Sequence, residues 1–364
     1  MKKRHTKYFV LLIFVPLLLV PLAFTWLAGH MHRPLLLDEE YILDVPRGGS
    51  LHGVIRHLAG RGMLGDPAEA RLRQLSVRVY ALTNDDARRI HRGEYRIKPG
   101  ENLVSLLDKL EQGDVIQHPF VIIEGTHFRE MRAQLAMAAG LQALTTDMSD
   151  ADIMAELGAP DRHPEGWFAP DTYFYTRGET DLALMRRAYA RQQRILDEAW
   201  AARDADLPYG DAYDALIMAS IVERETGVPE ERGKIAGVFV QRLEKGMRLQ
   251  TDPTVIYGMG ERYEGRIRRV DLREPTPYNT YVIRGMPPTP IAMPGAAAIR
   301  AAVNPERSEA LFFVARGDGS HQFSATLEEH NAAVRRYQLN RREGYRSSPA
   351  PQAPVEAPAE TETP

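Results

Sequence analysis

The chain has 364 residues, 44% of them hydrophobic and 26% charged, which is room for two or three globular domains with a substantial core. Its 46 basic and 49 acidic residues leave a formal charge of -3, so there is no general attraction to a polyanion and nucleic acid is disfavoured as a partner. With no cysteine, disulfides, thiolate catalysis and Cys-ligated metal sites are excluded.

At the N-terminus Lys2, Lys3, Arg4 and Lys7 precede Tyr8–Gly29, about 22 residues without a charged side chain and long enough to cross a bilayer core. The basic flank predicts a cytoplasmic N-terminus, with everything after Arg33 outside. A signal peptide cleaved near Ala28-Gly29 is the alternative, but the apolar stretch exceeds a usual h-region. Pro16 and Pro21 are compatible with a lipid-buried helix.

Three β-turn-α steps follow. Lead-ins at Tyr41–Val45, Tyr95–Ile97 and Phe120–Ile123 reach Gly48, Gly100 and Gly125. Helical apolar spacing comes next, at Leu51, Ile55 and Leu58, at Leu103, Leu107 and Leu110, and at Phe128, Met131 and Leu135. Pro67–Thr83 reads as a helix with imperfect phasing, and residues 145 to 163 as acidic and loosely helical. EGWFAPDTYFY, Glu165–Tyr175, is an aromatic cluster that either packs between domains or stacks on a ligand. Leu182–Ala205 reads as a solvated structural helix with a thin apolar stripe.

Gly210-Asp211 caps a helix that ends before Gly227 and Pro229, and Pro229 with Glu230 and Glu231 opens another that ends at Gly246. Gly258–Gly295 is a long Pro-rich path, the kind of loop that lines a site. A hairpin is predicted around Gly317–Ser320, then a helix opened by the Thr326/Glu329 capping box. From Ser347 the Pro/Ala/Glu-rich tail should be disordered.

The chemistry centres on IMASIVERETG, Ile217–Gly227, where an apolar helix delivers Glu223 and Glu225. A carboxylate there is costly to desolvate, so it is either paired locally, with Arg224, Lys234 or Arg242 available, or kept for proton transfer. Helical spacing puts Glu223 beside the small residues Ala219 and Ser220, which leave space for a ligand. Glu225 lies about 200° around the helix, so the two acids cannot flank one bond like the pair of an ordinary glycosidase. In RLQTDPTVIYG, Gln250, Thr251, Asp252 and Thr254 suit sugar hydroxyls and amides. Asp252-Pro253 predicts a tight turn, with Asp252 either a second carboxylate or a turn former. Tyr278–Tyr281 adds Asn279 between aromatic residues. His321 and His330 have no ligand spacing, and no phosphate loop or nucleophile elbow is present, so neither a metal nor a cofactor is expected.

Taken in order, EGWFAPDTY, ASIVERET, GMRLQTDPTVIYG, YNTYVIRGMPP and AMPG resemble the MltG/YceG-like endolytic murein transglycosylases. The resemblance implies cleavage of the MurNAc-β-1,4-GlcNAc bond within peptidoglycan strands, without water, leaving a 1,6-anhydromuramyl end. It matches Glu223 to the catalytic acid/base and Gln250, Thr251, Asp252 and Asn279 to a polar cleft, with Glu165, Tyr173 and Tyr257 as further cleft members. Gln241 and Thr289 depart from the family pattern, which has Asn and Gly there.

The architecture expected is α+β: residues 1–33 a basic flank and anchor, 34–140 a small LysM-like α/β module, 141–346 a larger α+β catalytic domain, and 347–364 a tail. The resemblance also implies glycan strands as substrate, peptidoglycan polymerases as partners, and a place in the bacterial inner membrane with the catalytic domain in the periplasm. The rival readings are a hydrolase using Glu223, Asp252 and water, and a glycan-binding scaffold without activity.

Overall fold

The computed structural model describes residues 19, 21–23, 25–84 and 90–339. Contacts divide the chain into two units. One comprises the chain up to His118 with Ala139–Leu141 and Phe174–Glu179; the other comprises Pro119–Ala138, Gln142–Tyr173 and the chain from Thr180 on.

In the first unit β1 (Tyr41–Val45), α1 (Leu51–Gly60), α2 (Pro67–Thr83) and β2 (Gly93–Ile97) form a β-α-α-β arrangement, followed by α3 (Leu103–Gln112). β1 and β2 pair antiparallel, Tyr41 opposite Ile97 and Val45 opposite Gly93. Alternation puts Leu43, Val45, Tyr95 and Ile97 inward, against Val54, Ile55 and Leu58 of α1 and Leu103, Leu106, Leu107 and Leu110 of α3. Each such side chain contributes about 1.5–3 kcal/mol on burial, before the entropy of ordering it is subtracted. The helices start where side chains satisfy orphan amides: Ser50 accepts from Gly53 N–H, Asp66 from Ala68 and Glu69, and Asn102 from Val104 and Ser105. The Arg73 guanidinium, buried on α2, donates to the carbonyls of Arg33 and Pro34 and fixes the chain there.

The second unit is built round α7 (Ala212–Glu225), whose residues Ala215–Val222 are all buried. Such a helix, apolar on every side, has to be central. It packs against α6 (Asp181–Ala201), α8 (Arg232–Glu244) and α10 (Ala296–Val303). The expectation for α6 needs correction: Leu184, Met185, Ala188, Tyr189, Gln192, Leu196 and Ala199 are buried, a full packing face and not a thin stripe. Gln192 was overlooked because it is polar, yet its amide donates to the carbonyls of Gly166 and Pro294.

The aromatic cluster contains an unforeseen strand, β4 (Asp171–Tyr175), which pairs with β3 (His118–Ile122). The helices α4 (Phe128–Ala136) and α5 (Asp150–Glu156) belong to the second unit. The chain passes from the first unit to the second after His118, and Ala139–Leu141 and Phe174–Glu179 return to the first. The third β-turn-α step serves the second unit because Phe128 stacks on Phe168 at 5.2 Å and Gly125 N–H donates to the Met293 carbonyl. A helix α9 (Asp252–Met259) precedes the Pro-rich path, and β5 (Phe312–Ala315) with β6 (His321–Ser324) forms the expected hairpin, Phe312 opposite Ser324. The last helix, α11 (Leu327–Val334), starts at the Thr326/Glu329 capping box.

Among the described residues no helix is long and apolar enough to cross a membrane. Most of the Tyr8–Gly29 stretch lies outside them, as does the tail from Ser347; its described end, 25–29, is largely helical.

Candidate active site

The C-terminal end of α7 presents two carboxylates on opposite sides. Asp211 caps the helix start, accepting from Tyr213 and Asp214 N–H, and Thr226 ends it in extended geometry. Between these points the buried run holds the frame rigid, so the last turn is fixed in direction.

Glu223 faces the end of the Pro-rich path. Its Oε2 accepts from Gly295 N–H at 2.9 Å, and its Oε1 lies 3.4 Å from the Arg232 guanidinium. The side chain is only 5% exposed. Burial pushes its carboxyl above the ordinary glutamate range and the neighbouring Glu124 pushes the same way, while Gly295 N–H and Arg232 oppose. Arg232 also lies 3.5 Å from Glu124, so one cation serves both acids. The ion-pair partners expected from sequence were Arg224, Lys234 and Arg242; the observed one is Arg232.

A second correction concerns Ala219 and Ser220. They do not leave space for a ligand, because the segment Ile291–Met293 fills it: Ser220 Oγ accepts from Ile291 N–H at 2.9 Å, and Ile291, Ala292 and Met293 are fully buried. Small residues on a helix face admit a backbone as readily as a substrate.

Glu225 points to the other side and lines a pocket of ≈ 620 Å³ with Gln250, Thr251, Asp252 and Tyr281. The Thr251 hydroxyl donates to Glu225 Oε1 and Tyr281 Oη donates to Asp252 Oδ1 at 2.6 Å. Burial, reinforced by the nearby Asp252, pushes the Glu225 carboxyl up to about 7. Asp252-Pro253 is not the predicted tight turn: the pair opens α9, where Pro has no amide to lose. Ahead of it Gln250 sits at φ 50°, left-handed geometry that costs a side-chain-bearing residue about 1–2 kcal/mol. Arg242 fixes this approach, donating to the carbonyls of Leu249 and Leu311.

A further cleft of ≈ 520 Å³ is lined by His127, His163, Glu165, Ile256 and Tyr257. Ile256 of α9 borders both cavities. Glu165 is 3% exposed, accepts from Phe128 N–H at 3.0 Å and from Tyr257 Oη at 3.2 Å, and burial pushes it up to about 7.

The structure thus gathers Gln250, Thr251 and Asp252 in one cavity and Glu165 and Tyr257 in another. It brings neither Asn279 nor Tyr173 into them, and Glu223 itself lines neither cavity. Asn279 is fully buried and spends its amide on the carbonyls of Asp271 and Glu274 while accepting from Tyr281 N–H, so it shapes the loop that presents Tyr281. Tyr173 donates to the Ala169 carbonyl and borders a different hollow beside Arg187, Arg191 and Arg194. Sequence reasoning missed Glu225 as the acid beside the Gln-Thr-Asp segment. Its spacing from Glu223 showed that the two diverge, but not which one meets Thr251. The two departures from the family pattern are accommodated locally, since Gln241 donates to the Ser308 carbonyl and Thr289 meets Tyr278 Oη at 2.9 Å. His321 is engaged by Glu231, Nδ1 to Oε2 at 2.7 Å.

The sequence model of the YceG-like family matches residues 43–336. An endolytic murein transglycosylase of Bacillus subtilis (strain 168) is 32% identical over 269 residues, 67% of this chain and 72% of that protein. One of Streptococcus pneumoniae serotype 2 (strain D39) is 30% identical over 184 residues, 47% of this chain but only 31% of that longer protein. The crystal structure of a YceG-like protein of Listeria monocytogenes, 26% identical, superposes with a TM-score of 0.51 over 81% of this chain and 99% of that one. The chain belongs to the YceG-like family, and with it to the lytic transglycosylases.

Proposed function

We propose that this protein cleaves the MurNAc-β-1,4-GlcNAc bond inside peptidoglycan strands and leaves 1,6-anhydromuramyl ends, with Glu223 as the proton-transfer group. The observation that carries the reading is the setting of Glu223: a carboxyl raised by burial and by the neighbouring Glu124, with one oxygen held by Gly295 N–H and one cation, Arg232, at 3.4 Å. In its protonated form Glu223 donates to the GlcNAc O4 as the glycosidic bond breaks. As carboxylate, stabilised by Gly295 N–H and Arg232, it accepts the proton of the muramyl C6 hydroxyl as that oxygen bonds to C1. One acid serves both steps because the nucleophile is already part of the substrate.

The hydrolase rival needs a second carboxylate opposite Glu223. Asp252, its candidate, lines the Glu225 pocket and is bonded by Tyr281, so it does not stand opposite Glu223 as that acid.

Glu223→Gln keeps the shape and loses the proton. On uncrosslinked glycan strands we expect cleavage to fall by 10²–10⁴-fold with binding retained. Mass spectrometry of wild-type digests should show anhydro ends; reducing muramic ends would establish hydrolysis, and full activity of the variant would remove Glu223 from the mechanism.

The finer parts of the reading rest on sequence. The apolar stretch Tyr8–Gly29 after a basic flank supports a single-pass anchor in the inner membrane with the enzyme in the periplasm. The β-α-α-β arrangement of residues 41–97 supports a LysM-like glycan-presenting role for the first unit. Endolytic cleavage beside the membrane would terminate nascent strands and make peptidoglycan polymerases the natural partners.

A further inference from the structure

The reaction proposed for Glu223 leaves unused Glu225, the acid that lines the ≈ 620 Å³ pocket. Glu225 Oε1 is held by the Thr251 hydroxyl, while Oε2 accepts no hydrogen bond from the described residues. Asp252, in the same cavity, is oriented by Tyr281 Oη, and Phe312, Pro253 and Ile256 add apolar surface. We propose that Glu225, in its protonated form, is a positioning residue that binds an acetamido group of the glycan in this pocket and so sets affinity for the strand.

The chemistry matches on both sides of the amide. A neutral Glu225 donates to the acetamido carbonyl oxygen, the Asp252 carboxylate accepts from the acetamido N–H, and the methyl lies against the apolar wall. A deprotonated Glu225 would set two acceptors against that carbonyl and bind poorly. The charged and titratable groups around Glu225 are Arg224 on its own helix, Arg242 of α8, Asp252 of α9, Tyr281 of the loop, His321 of β6 and His330 of α11. Arg242 donates to the Leu249 and Leu311 carbonyls; burial and the Asp252 charge push the Glu225 carboxyl up to about 7, opposed by the Thr251 hydroxyl and the Arg242 charge. The strained Gln250 backbone, ahead of Thr251, is consistent with a segment held for binding.

This inference rests on the transglycosylase reading, and its test separates the two. In the full-length Glu223→Gln protein, which should bind without cleaving, the dissociation constant for uncrosslinked glycan strands is measured from pH 6 to 8. Loss of the protonated form of a group titrating near 7 predicts about tenfold weaker binding across that interval. In Glu223→Gln/Glu225→Gln the amide keeps a donor at every pH, so the dependence should vanish. A pH-independent affinity in the single variant, or the same fall in both proteins, would overturn the proposal. If thermal unfolding shows that the double variant is not folded, Asp252→Asn on the Glu223→Gln background serves instead: removing the like charge lowers the Glu225 carboxyl, so the fall should move to lower pH, and an unmoved midpoint would equally overturn it. Failure of the parent reading would show separately, as absence of anhydro product from the wild type.

Discussion

Three glutamates illustrate how burial decides a residue's chemistry. Glu165, Glu223 and Glu225 are each raised chiefly by desolvation, but their compensation differs: the Phe128 and Gly166 N–H groups and Tyr257 Oη for Glu165, a backbone N–H and Arg232 for Glu223, the Thr251 hydroxyl and the Arg242 charge for Glu225. Glu165 has a stability consequence. Its ordinary value is 4.5 and its folded value about 7, so below pH 4.5 both states are protonated and no stability is lost; as pH rises from 4.5 through 7 the unfolded chain releases the proton first, and stability falls. The loss attributable to this group is on the order of 3 kcal/mol above pH 7. Glu165→Gln should flatten part of the decline, seen as a smaller difference in urea midpoint between pH 5 and pH 8, with the remainder left to Glu223 and Glu225. An unchanged slope would mean that solvent reaches Glu165 more freely than its 3% exposure implies.

At the scale of elements, the catalytic unit depends on close approach. Gly237, in the middle of α8, meets the Glu306 carbonyl so closely that an added Cβ would lie 2.1 Å from the oxygen. Glu306 N–H also donates to the Gly233 carbonyl, so the segment cannot simply move away. Gly237→Ala should destabilise by about 1–3 kcal/mol, read as a lowered urea midpoint at constant m-value. The α11 cap offers a milder comparison. Thr326 Oγ1 accepts from Glu329 N–H, and Thr326→Ala should cost about 1 kcal/mol without touching either carboxylate at the end of α7. Helix α9 shows what local reading misses: Asp-Pro favours both a turn and a helix start, and only the buried Thr251, with its N–H bonded to Thr280 Oγ1, selects the second.

For the molecule as a whole, the proposed anchor is open to a direct check. The full chain should sediment with membranes, resist alkaline carbonate and be released by detergent, while a chain beginning at Arg33 should be extracted without detergent. Carbonate release of the full chain would instead indicate a cleaved signal peptide.

Much of the fold was legible from sequence because its signals are local. Apolar spacing gave α1, α3 and α7, Gly210-Asp211 gave a helix start, and the Thr326/Glu329 pair gave α11. The α6 burial and the β4 strand were not, since each depends on what another part of the chain brings to it. The same division runs through the site. Sequence alone determined that two carboxylates end a buried helix and diverge, because helical periodicity is a property of the segment itself. Which of them meets Arg232 and Gly295, and which meets Thr251 and shares a pocket with Asp252, was decided only when distant segments packed against the two sides of α7. Desolvation and hydrogen bonding come from those neighbours and not from the residue.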